Sequence, residues 1–225
     1  MKKICNKRDF IAARIAQEFK DGNLVNLGAG LPAIVPDFMP SGVNVLFQSE
    51  NGIVGYSADN KNLTRDLFRT EASEKFVSII PGGCIVDSCT AFGLIRGGHL
   101  SATVLGTMQV DAEGSLANWL VPGGKMAGMG GAMDLVAGTR RVIVATEHCD
   151  KEGKSKIMNQ CTYPLTGYRV VSTIITELAC IDVTPDGLVL KEYAPGITID
   201  EIIAKTDAYL KISPDIHEMN VRLEE

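Results

Sequence analysis

Short apolar segments that recur along the chain are the feature that most constrains its fold. Several of them are apolar throughout instead of alternating with polar residues. Such runs are typical of parallel strands, because helices cover a parallel sheet and bury both faces of each strand. The predicted strands cover residues 24–27, 43–47, 76–80, 102–105, 141–146, 179–183 and 188–190.

Helix-like segments separate these strands. Phe10, Ile15 and Phe19 recur at helical spacing, so we predict an amphipathic helix over residues 6–20. The alternation of strands with helices indicates an α/β fold, with an open, mostly parallel sheet flanked by helices. Further helices are predicted at residues 88–95, 132–136, 170–176 and 198–204.

Length and charge limit the organisation and the partners. At 225 residues with 45% hydrophobic residues, the chain is expected to form a single domain over residues 1–212, followed by a polar C-terminal tail over residues 213–225. Its net charge of -5 gives no electrostatic case for nucleic acid or an anionic membrane as a partner. Because no segment approaches ~18 consecutive apolar residues and the N-terminus is polar, we expect a cytoplasmic protein.

The cysteines and histidines do not form a metal-binding pattern. The six cysteines contain no pair separated by two residues, and the three histidines are scattered singly. These spacings match no zinc site, so we expect no metal and reduced, mostly buried thiols.

Glu50 is the strongest candidate for chemistry. It closes the segment that begins with the apolar run 43–47, and Asn51 and Gly52 follow it as a turn. A carboxylate at the end of a buried strand is placed for a functional role and not for solvation of a surface. Since neither histidine nor metal accompanies it, Glu50 is predicted to act as a general base or as a nucleophile toward an activated acyl group such as a thioester.

Glycine-rich turns supply the second set of candidates. The long run over residues 122–132 ends in Gly130 and Gly131, just before a predicted helix. Backbone amides at such a position are free to stabilise an oxyanion, which attack on a thioester would create. Gly97 and Gly98 are interpreted instead as a helix stop.

A nucleotide site is the alternative interpretation. Residues 28–33 fit the GxGxxA form of the dinucleotide fingerprint, and Glu50 lies twenty residues after Gly30, where a ribose-binding acid is expected. This would make the chain a nucleotide-dependent oxidoreductase. Against it, Pro32 and Pro36 crowd the segment in which the fingerprint requires a regular helix.

Six stretches of the chain, in order, resemble the B (beta) subunit of family I CoA-transferases of the 3-oxoacid or acetate/butyrate–acetoacetate type. The motif over residues 48–52 and the run over residues 128–136 are the most specific of them. The resemblance implies a CoA-transferase-like fold. The matching stretches are residues 26–32, 48–52, 94–99, 116–119, 128–136 and 164–167.

The resemblance assigns roles to individual residues. It implies that Glu50 is the nucleophile of a ping-pong reaction that passes through a glutamyl-CoA thioester, and that Gly131 belongs to the oxyanion hole. Gly130, Asn51, Gly28 and Gly30 are expected to line the same cleft. Among the scattered basic residues, Lys125 is the one that we expect to contact CoA.

The resemblance also implies partners and substrates. An alpha subunit is expected to complete the enzyme as a heterodimer or heterotetramer. No permanently bound cofactor is expected, since CoA enters as acyl-CoA and is carried as the covalent intermediate. The expected acceptor is a short-chain acid or a 3-oxoacid such as acetoacetate, which suggests ketone body or short-chain fatty acid metabolism. A CoA-ester hydrolase on the same fold is a further alternative.

Three departures from the family pattern bear on the acceptor. Residues 55–59 intervene where the family continues toward a Gly-Pro pair, Ser101 stands where aspartate is common, and Gly124 is an extra residue. We expect all three to lie around the site and to affect the substrate more than the type of reaction.

Overall fold

The computed structural model describes residues 2–57, 70–72, 75–124, 126 and 128–221. Within these residues, ten strands form one sheet and three short strands form a second. The large sheet consists of β1 (Leu24–Leu27), β2 (Leu46–Ser49), β3 (Ile53–Ser57), β4 (Ser78–Ile85), β5 (Ala102–Leu105), β8 (Val142–Ala145), β10 (Thr173–Ile175), β11 (Ala179–Thr184), β12 (Gly187–Tyr193) and β13 (Leu210–Glu218). The small sheet consists of β6 (Gln109–Asp111), β7 (Leu116–Ala117) and β9 (Ile157–Met158).

Helices cover both faces of the large sheet. The described helical elements are α1 (Lys7–Ala16), a 3-10 helix (Pro32–Phe38), α2 (Ser88–Arg96), α3 (Ala132–Gly138) and α4 (Ile199–Ala204). The Asn6 side chain accepts a hydrogen bond from the Asp9 amide and caps α1, as its residue type favours. A capping box between Thr198 and Glu201 begins α4 in the same way.

Parallel strands form the centre of the large sheet. Antiparallel pairs flank this centre on both sides, and β13 then pairs parallel with β12 at one edge. The spatial order is β13-β12-β11-β10-β8-β5-β1-β2-β3-β4. The five strands from β10 to β2 are parallel to their neighbours in this order. The predicted open, mostly parallel α/β sheet is confirmed.

The continuous apolar runs are buried on both sides, as predicted. In β8, Ile143 and Ala145 pack into the core beneath α1 and the 3-10 helix. Val142 and Val144 of the same strand pack into the core beneath α2, α3 and α4. Because successive side chains of a strand point to opposite faces, a run with both faces covered must be apolar throughout.

Two predicted elements are wrong. The segment over residues 170–176 was predicted as a helix but contains β10, because its β-branched residues pair with β8 and β11 in the buried sheet. The polar tail predicted from residue 213 is wrong for residues 213–218, which belong to β13. Within the described part of the chain this strand pairs with β12 alone and lies at the edge of the sheet, where polar side chains face solvent.

The cysteines are reduced, but the prediction that most are buried is wrong. All six are free, and only Cys180 is fully buried, whereas Cys5, Cys84 and Cys89 are exposed. Among the described residues, no helix is both long and apolar enough to cross a lipid bilayer.

Candidate active site

Glu50 lies in a tight hairpin at the carboxyl edge of the parallel strands. Ser49 at the end of β2 pairs with Ile53 at the start of β3, so residues 50–52 form the turn. The Gly52 amide donates to the Ser49 carbonyl at 3.0 Å. Gly52 has φ +112°, and a β-carbon there would lie 2.1 Å from the Val86 carbonyl oxygen. Only glycine fits this turn, and it holds Glu50 at the edge of the sheet as predicted.

The two carboxylate oxygens of Glu50 face different partners. Asn26 Nδ2 donates to Glu50 Oε2 at 3.2 Å. On the other side, a β-carbon at Gly131 would lie 3.3 Å from Glu50 Cγ, 3.4 Å from Oε1 and 3.4 Å from Phe92 Cζ. Glu50 is only partly buried, so its carboxylate combines fixed neighbours with access from solvent.

Gly131 reaches Glu50 because α2 and α3 pack together. Gly131 is the N-cap of α3, and Arg96 of α2 forms a salt bridge of 2.7 Å with Asp134 in the first turn of α3. A β-carbon at Gly138 would lie 2.3 Å from the Ile95 carbonyl oxygen, so the two helices approach closely at the other end of α3. Gly130 precedes Gly131 in an exposed position with φ +51°. The predicted pairing of the glycine run with Glu50 is therefore present at Gly131.

The other predicted site residues lie around this edge with different roles. The Asn51 side chain donates to the Thr70 carbonyl at 2.8 Å and is exposed. The Gly28 amide donates to the Val104 carbonyl at 2.8 Å, and a β-carbon there would meet the Leu105 side chain at 3.0 Å. Gly28 thus packs closely against β5, while Gly30 is exposed with φ +85°. Lys125 lies outside the described residues.

Of the three family departures, the structure places Tyr56 beside the site. Tyr56 is buried in β3 with its ring against Phe47. Burial, together with the negative charges of Glu71 and Glu50, raises the pKa of the Tyr56 phenol above its ordinary value, so the ring stays neutral next to the carboxylate. Residues 58 and 59 lie outside the described residues.

The expectation that all three departures surround the site is wrong for Ser101. The Ser101 hydroxyl accepts from the Leu24 amide at 3.1 Å, and the Ser101 amide donates to the Leu24 carbonyl at 2.7 Å. Both residues stand at the amino ends of β1 and β5, whereas Glu50 follows the carboxyl end of β2. Gly124 is exposed, and its amide donates to the Val121 carbonyl at 2.9 Å within its own loop.

Three buried polar residues for which the sequence predicts no role form a chain of hydrogen bonds that ends at Glu50. Asn26 contacts the carboxylate directly, and Gln48 and Thr103 contact Asn26. All three side chains have 0% exposure. The available signal was a polar residue inside each of three mainly apolar strands, since a buried polar group needs a partner.

Comparison with known proteins agrees with this geometry. The model of the coenzyme A transferase family matches residues 8–205. The chain belongs to this family. Relatives named as beta or B subunits of such enzymes confirm the resemblance to the beta-type chain of family I CoA-transferases.

Relatives of similar length are named as single subunits of larger enzymes. The chain is 47% identical over 217 residues to the beta subunit of the acetate CoA-transferase of Haemophilus influenzae, and the match covers 96% of both chains. It is 42% identical over 205 residues to the B subunit of the succinyl-CoA:3-ketoacid coenzyme A transferase of Helicobacter pylori, covering 91% of this chain and 99% of that one.

A solved CoA-transferase shares the fold. The acyl-CoA transferase apoenzyme from Escherichia coli superposes with a TM-score of 0.75 at 22% sequence identity. The match covers 98% of this chain but only 44% of the E. coli chain. The chain therefore spans less than half the length of the E. coli protein, and the matched part of that protein has the same fold.

The nucleotide-binding alternative is not favoured. The fingerprint turn opens onto a 3-10 helix that contains Pro36, where a dinucleotide site requires a regular α-helix. Glu50 lies in an antiparallel hairpin and not at a strand-to-helix junction. The GxGxxA match therefore reflects a glycine turn at the end of β1 without the helix that would bind a pyrophosphate.

Proposed function

We propose that this chain is the beta subunit of a CoA-transferase that moves CoA from an acyl-CoA donor to a carboxylic acid through a covalent thioester on Glu50. The observation that carries the proposal is the placement of Glu50. Its partly buried carboxylate projects from a rigid hairpin, with Asn26 at one oxygen and Gly131 against the other side. Membership in the coenzyme A transferase family supports the same reaction.

The chemistry follows from the nucleophilicity of a carboxylate. An oxygen of Glu50 attacks the thioester carbonyl carbon of the donor, the C–S bond breaks, and CoA leaves as its thiolate. The product is a mixed anhydride between Glu50 and the donor acid. The thiolate then attacks the Glu50 carbonyl carbon and expels the donor carboxylate, which leaves a glutamyl-CoA thioester. An acceptor carboxylate repeats these steps in reverse order and restores free Glu50.

Gly131 and Gly130 are proposed to stabilise the oxyanion that each attack creates. Gly131 is the N-cap of α3, and the amides at the start of a helix have no partner within the helix. Loss of one oxyanion donor typically reduces the rate by about 100- to 1000-fold. Gly28, Gly30, Asn51 and Lys125 remain proposed contacts to CoA or to the acyl group.

The proposed acceptor is a short-chain acid or a 3-oxoacid such as acetoacetate. The names of the relatives, which cite acetate and a 3-ketoacid, support this substrate class. Buried Tyr56 beside Glu50 is proposed to limit the size of the acyl group, because its ring occupies space that a smaller side chain would leave open.

An alpha subunit is the proposed partner. Both relatives of matching length are named as one subunit of a transferase. The E. coli structure has more than twice the length of the matched region, which agrees with a second half that is supplied here by another chain. We therefore expect this chain alone to be inactive and to gain activity when it is assembled with its alpha subunit.

Mass spectrometry of the assembled complex tests the covalent step. After incubation with an acyl-CoA without acceptor, a peptide containing Glu50 should carry the added mass of CoA minus water. The isosteric Glu50→Gln variant should lose this adduct and at least ~1000-fold of the transfer rate.

Two results would contradict the proposal. Turnover of the wild-type complex without an adduct on Glu50 would exclude the glutamyl intermediate. Steady release of free CoA in the absence of any acceptor acid would identify a CoA-ester hydrolase instead.

A further inference from the structure

A row of buried polar side chains crosses the centre of the large sheet. Asn26 on β1 is the register partner of both Gln48 on β2 and Thr103 on β5. All three have 0% exposure, in strands whose other residues are mainly apolar. Burying three polar groups side by side is unfavourable unless each finds a hydrogen-bond partner, so the row needs an explanation.

The hydrogen bonds of this row permit one orientation of each amide. Gln48 Nε2 donates to the Ser49 carbonyl at 3.0 Å, and a carbonyl oxygen can only accept. Gln48 Oε1 must therefore face Asn26, whose Nδ2 donates to it at 2.9 Å. Asn26 Nδ2 also lies 3.2 Å from the Gln48 carbonyl oxygen, another obligatory acceptor. The Thr103 hydroxyl completes the row by donating to Asn26 Oδ1 at 3.3 Å.

This arrangement directs Asn26 toward Glu50. The amide of Asn26 has two N–H groups, and three oxygens lie within 3.2 Å of Nδ2: the carbonyl and side-chain oxygens of Gln48, and Glu50 Oε2. If the amide rotated by half a turn, its oxygen would face all three of these acceptors. Those three oxygens therefore oppose the rotation, and the Thr103 hydroxyl anchors the amide oxygen of Asn26 on the far side by donating to it.

We propose that Thr103 and Gln48 are positioning residues that act through Asn26. They hold its N–H groups toward Oε2 and thereby set the conformation from which Glu50 attacks. The inference rests on the proposed function, since it concerns the same nucleophile. Thr103 makes no contact with Glu50 among the hydrogen bonds of the described residues, which separates its effect from a direct contact with substrate.

The test compares Thr103→Val with Thr103→Ser in the complex with the alpha subunit. Valine keeps the shape of threonine but removes the donor, while serine restores the donor. We expect Thr103→Val to lower kcat roughly 10-fold with KM for acyl-CoA changed less than about 2-fold, because misplacement of a reacting group slows chemistry more than binding. Thr103→Ser should recover most of kcat, and the rate of adduct formation on Glu50 in a single turnover should follow the same order.

Thr173→Val is the matched control, because Thr173 is buried in β10 of the same sheet without a contact to Glu50. It should leave kcat unchanged. Rates are expressed per assembled complex, so that a loss of folded protein does not count as a loss of catalysis. If Thr103→Val does not assemble, Thr103→Cys, which has a similar size and a weaker donor, takes its place and should give an intermediate kcat.

The possible outcomes separate the two proposals. An adduct on wild-type Glu50 together with equal kcat for the valine and serine variants would overturn the positioning role and leave the proposed function intact. Equal losses of kcat for Thr103→Val and Thr173→Val would also overturn it, as a nonspecific effect on the sheet. Turnover without any adduct on Glu50 in the wild type would remove the proposed function and this inference together.

Discussion

At the scale of single residues, Glu50 is contacted from two sides, and the two contacts differ in kind. Asn26 is a directional contact that depends on the orientation of an amide. Gly131 is a steric contact, since any side chain there would enter the space beside Glu50 and Phe92. A change at Gly131 should therefore act on the nucleophile before it acts on the fold.

Gly131→Ala tests this steric contact. The backbone of Gly131 has φ -82°, which alanine adopts without strain, but the new β-carbon would lie 3.3 Å from Glu50 Cγ. We expect kcat to fall by about 10- to 100-fold while the melting temperature changes little. The measurement is kcat of the assembled complex beside a thermal melt. Normal kcat in this variant would show that Gly131 does not restrict the nucleophile.

The control for this substitution is Gly93→Ala. Gly93 lies on the exposed side of α2, and a β-carbon there has no heavy atom within 4 Å. Alanine in a helix interior should stabilise the fold by about 0.5–1 kcal/mol and leave kcat unchanged.

At the scale of elements, the hairpin between β2 and β3 determines where Glu50 stands. Its turn is built from Gly52, and the Val86 amide donates to the Gly52 carbonyl at 2.8 Å, which joins the turn to the segment that precedes α2. Gly131 reaches Glu50 because α3 packs on α2. The hydrogen bond from Val86 therefore links the hairpin that carries Glu50 to the pair of helices that positions Gly131.

Gly52→Ala should disrupt this connection. The substitution combines φ +112° with a β-carbon 2.1 Å from the Val86 carbonyl oxygen. We expect a loss of at least ~2 kcal/mol in the free energy of unfolding and a loss of activity, because the backbone must move. Urea denaturation measures the first effect.

Gly153→Ala serves as the comparison, since it has φ +81° but no heavy atom within 4 Å of a β-carbon. The free energy of unfolding of this variant should fall by only about 1 kcal/mol, which is the typical cost of the left-handed conformation for a residue with a β-carbon. Equal losses in the two variants would show that the contact with Val86 contributes nothing.

Some sequence patterns were sufficient to predict an element, and others were not. The predicted bounds of β1 and β5 match the observed ones, because a run of four mainly apolar residues is too short for a helix and is typical of a buried strand. The spacing of residues 170–176 also suits a helix, and only pairing with β8 and β11 makes part of this segment a strand. The sequence of β13 suggests a polar tail, because most of its side chains face solvent and few, among them Leu210 and Ser213, are buried.

At the scale of the whole molecule, a buried histidine links stability to pH. His148 has 0% exposure, with Thr176 Oγ1 3.0 Å from Nδ1 and Thr206 Oγ1 2.9 Å from Nε2. Burial lowers the pKa of His148 to about 4; the charge of Glu177 opposes this shift and that of Lys205 adds to it. The folded protein therefore binds the histidine proton less readily than the unfolded chain, whose histidine has a pKa near 6.5.

The sign of the pH dependence follows from this shift. The stability that neutral His148 contributes is fully present above its unfolded-state pKa of 6.5. It is lost as the pH falls toward the folded-state pKa of about 4. We expect the free energy of unfolding to decrease by about 2 kcal/mol between about pH 8 and about pH 5. Urea denaturation of wild type and His148→Gln at both values tests this, since the variant should lack that decrease. Equal decreases in the two proteins would assign the pH dependence to other groups.

Local sequence was enough to determine the α/β class, the buried parallel strands and the position of Glu50 at a glycine turn. These features depend on which side chains are apolar and on where the backbone can reverse, and both are properties of neighbouring residues. The sequence also predicted the glycine run beside Glu50, but only the tertiary structure decided that Asn26 donates to the carboxylate and that Gln48 and Thr103 contact Asn26. These contacts join residues that lie far apart in the sequence. The order and register of β5, β1 and β2 bring Thr103, Asn26 and Gln48 together. The packing of α2 on α3 brings Gly131 to Glu50. Hydrogen bonds and steric contacts act over a few ångströms, so they depend on this arrangement in space and not on spacing along the chain.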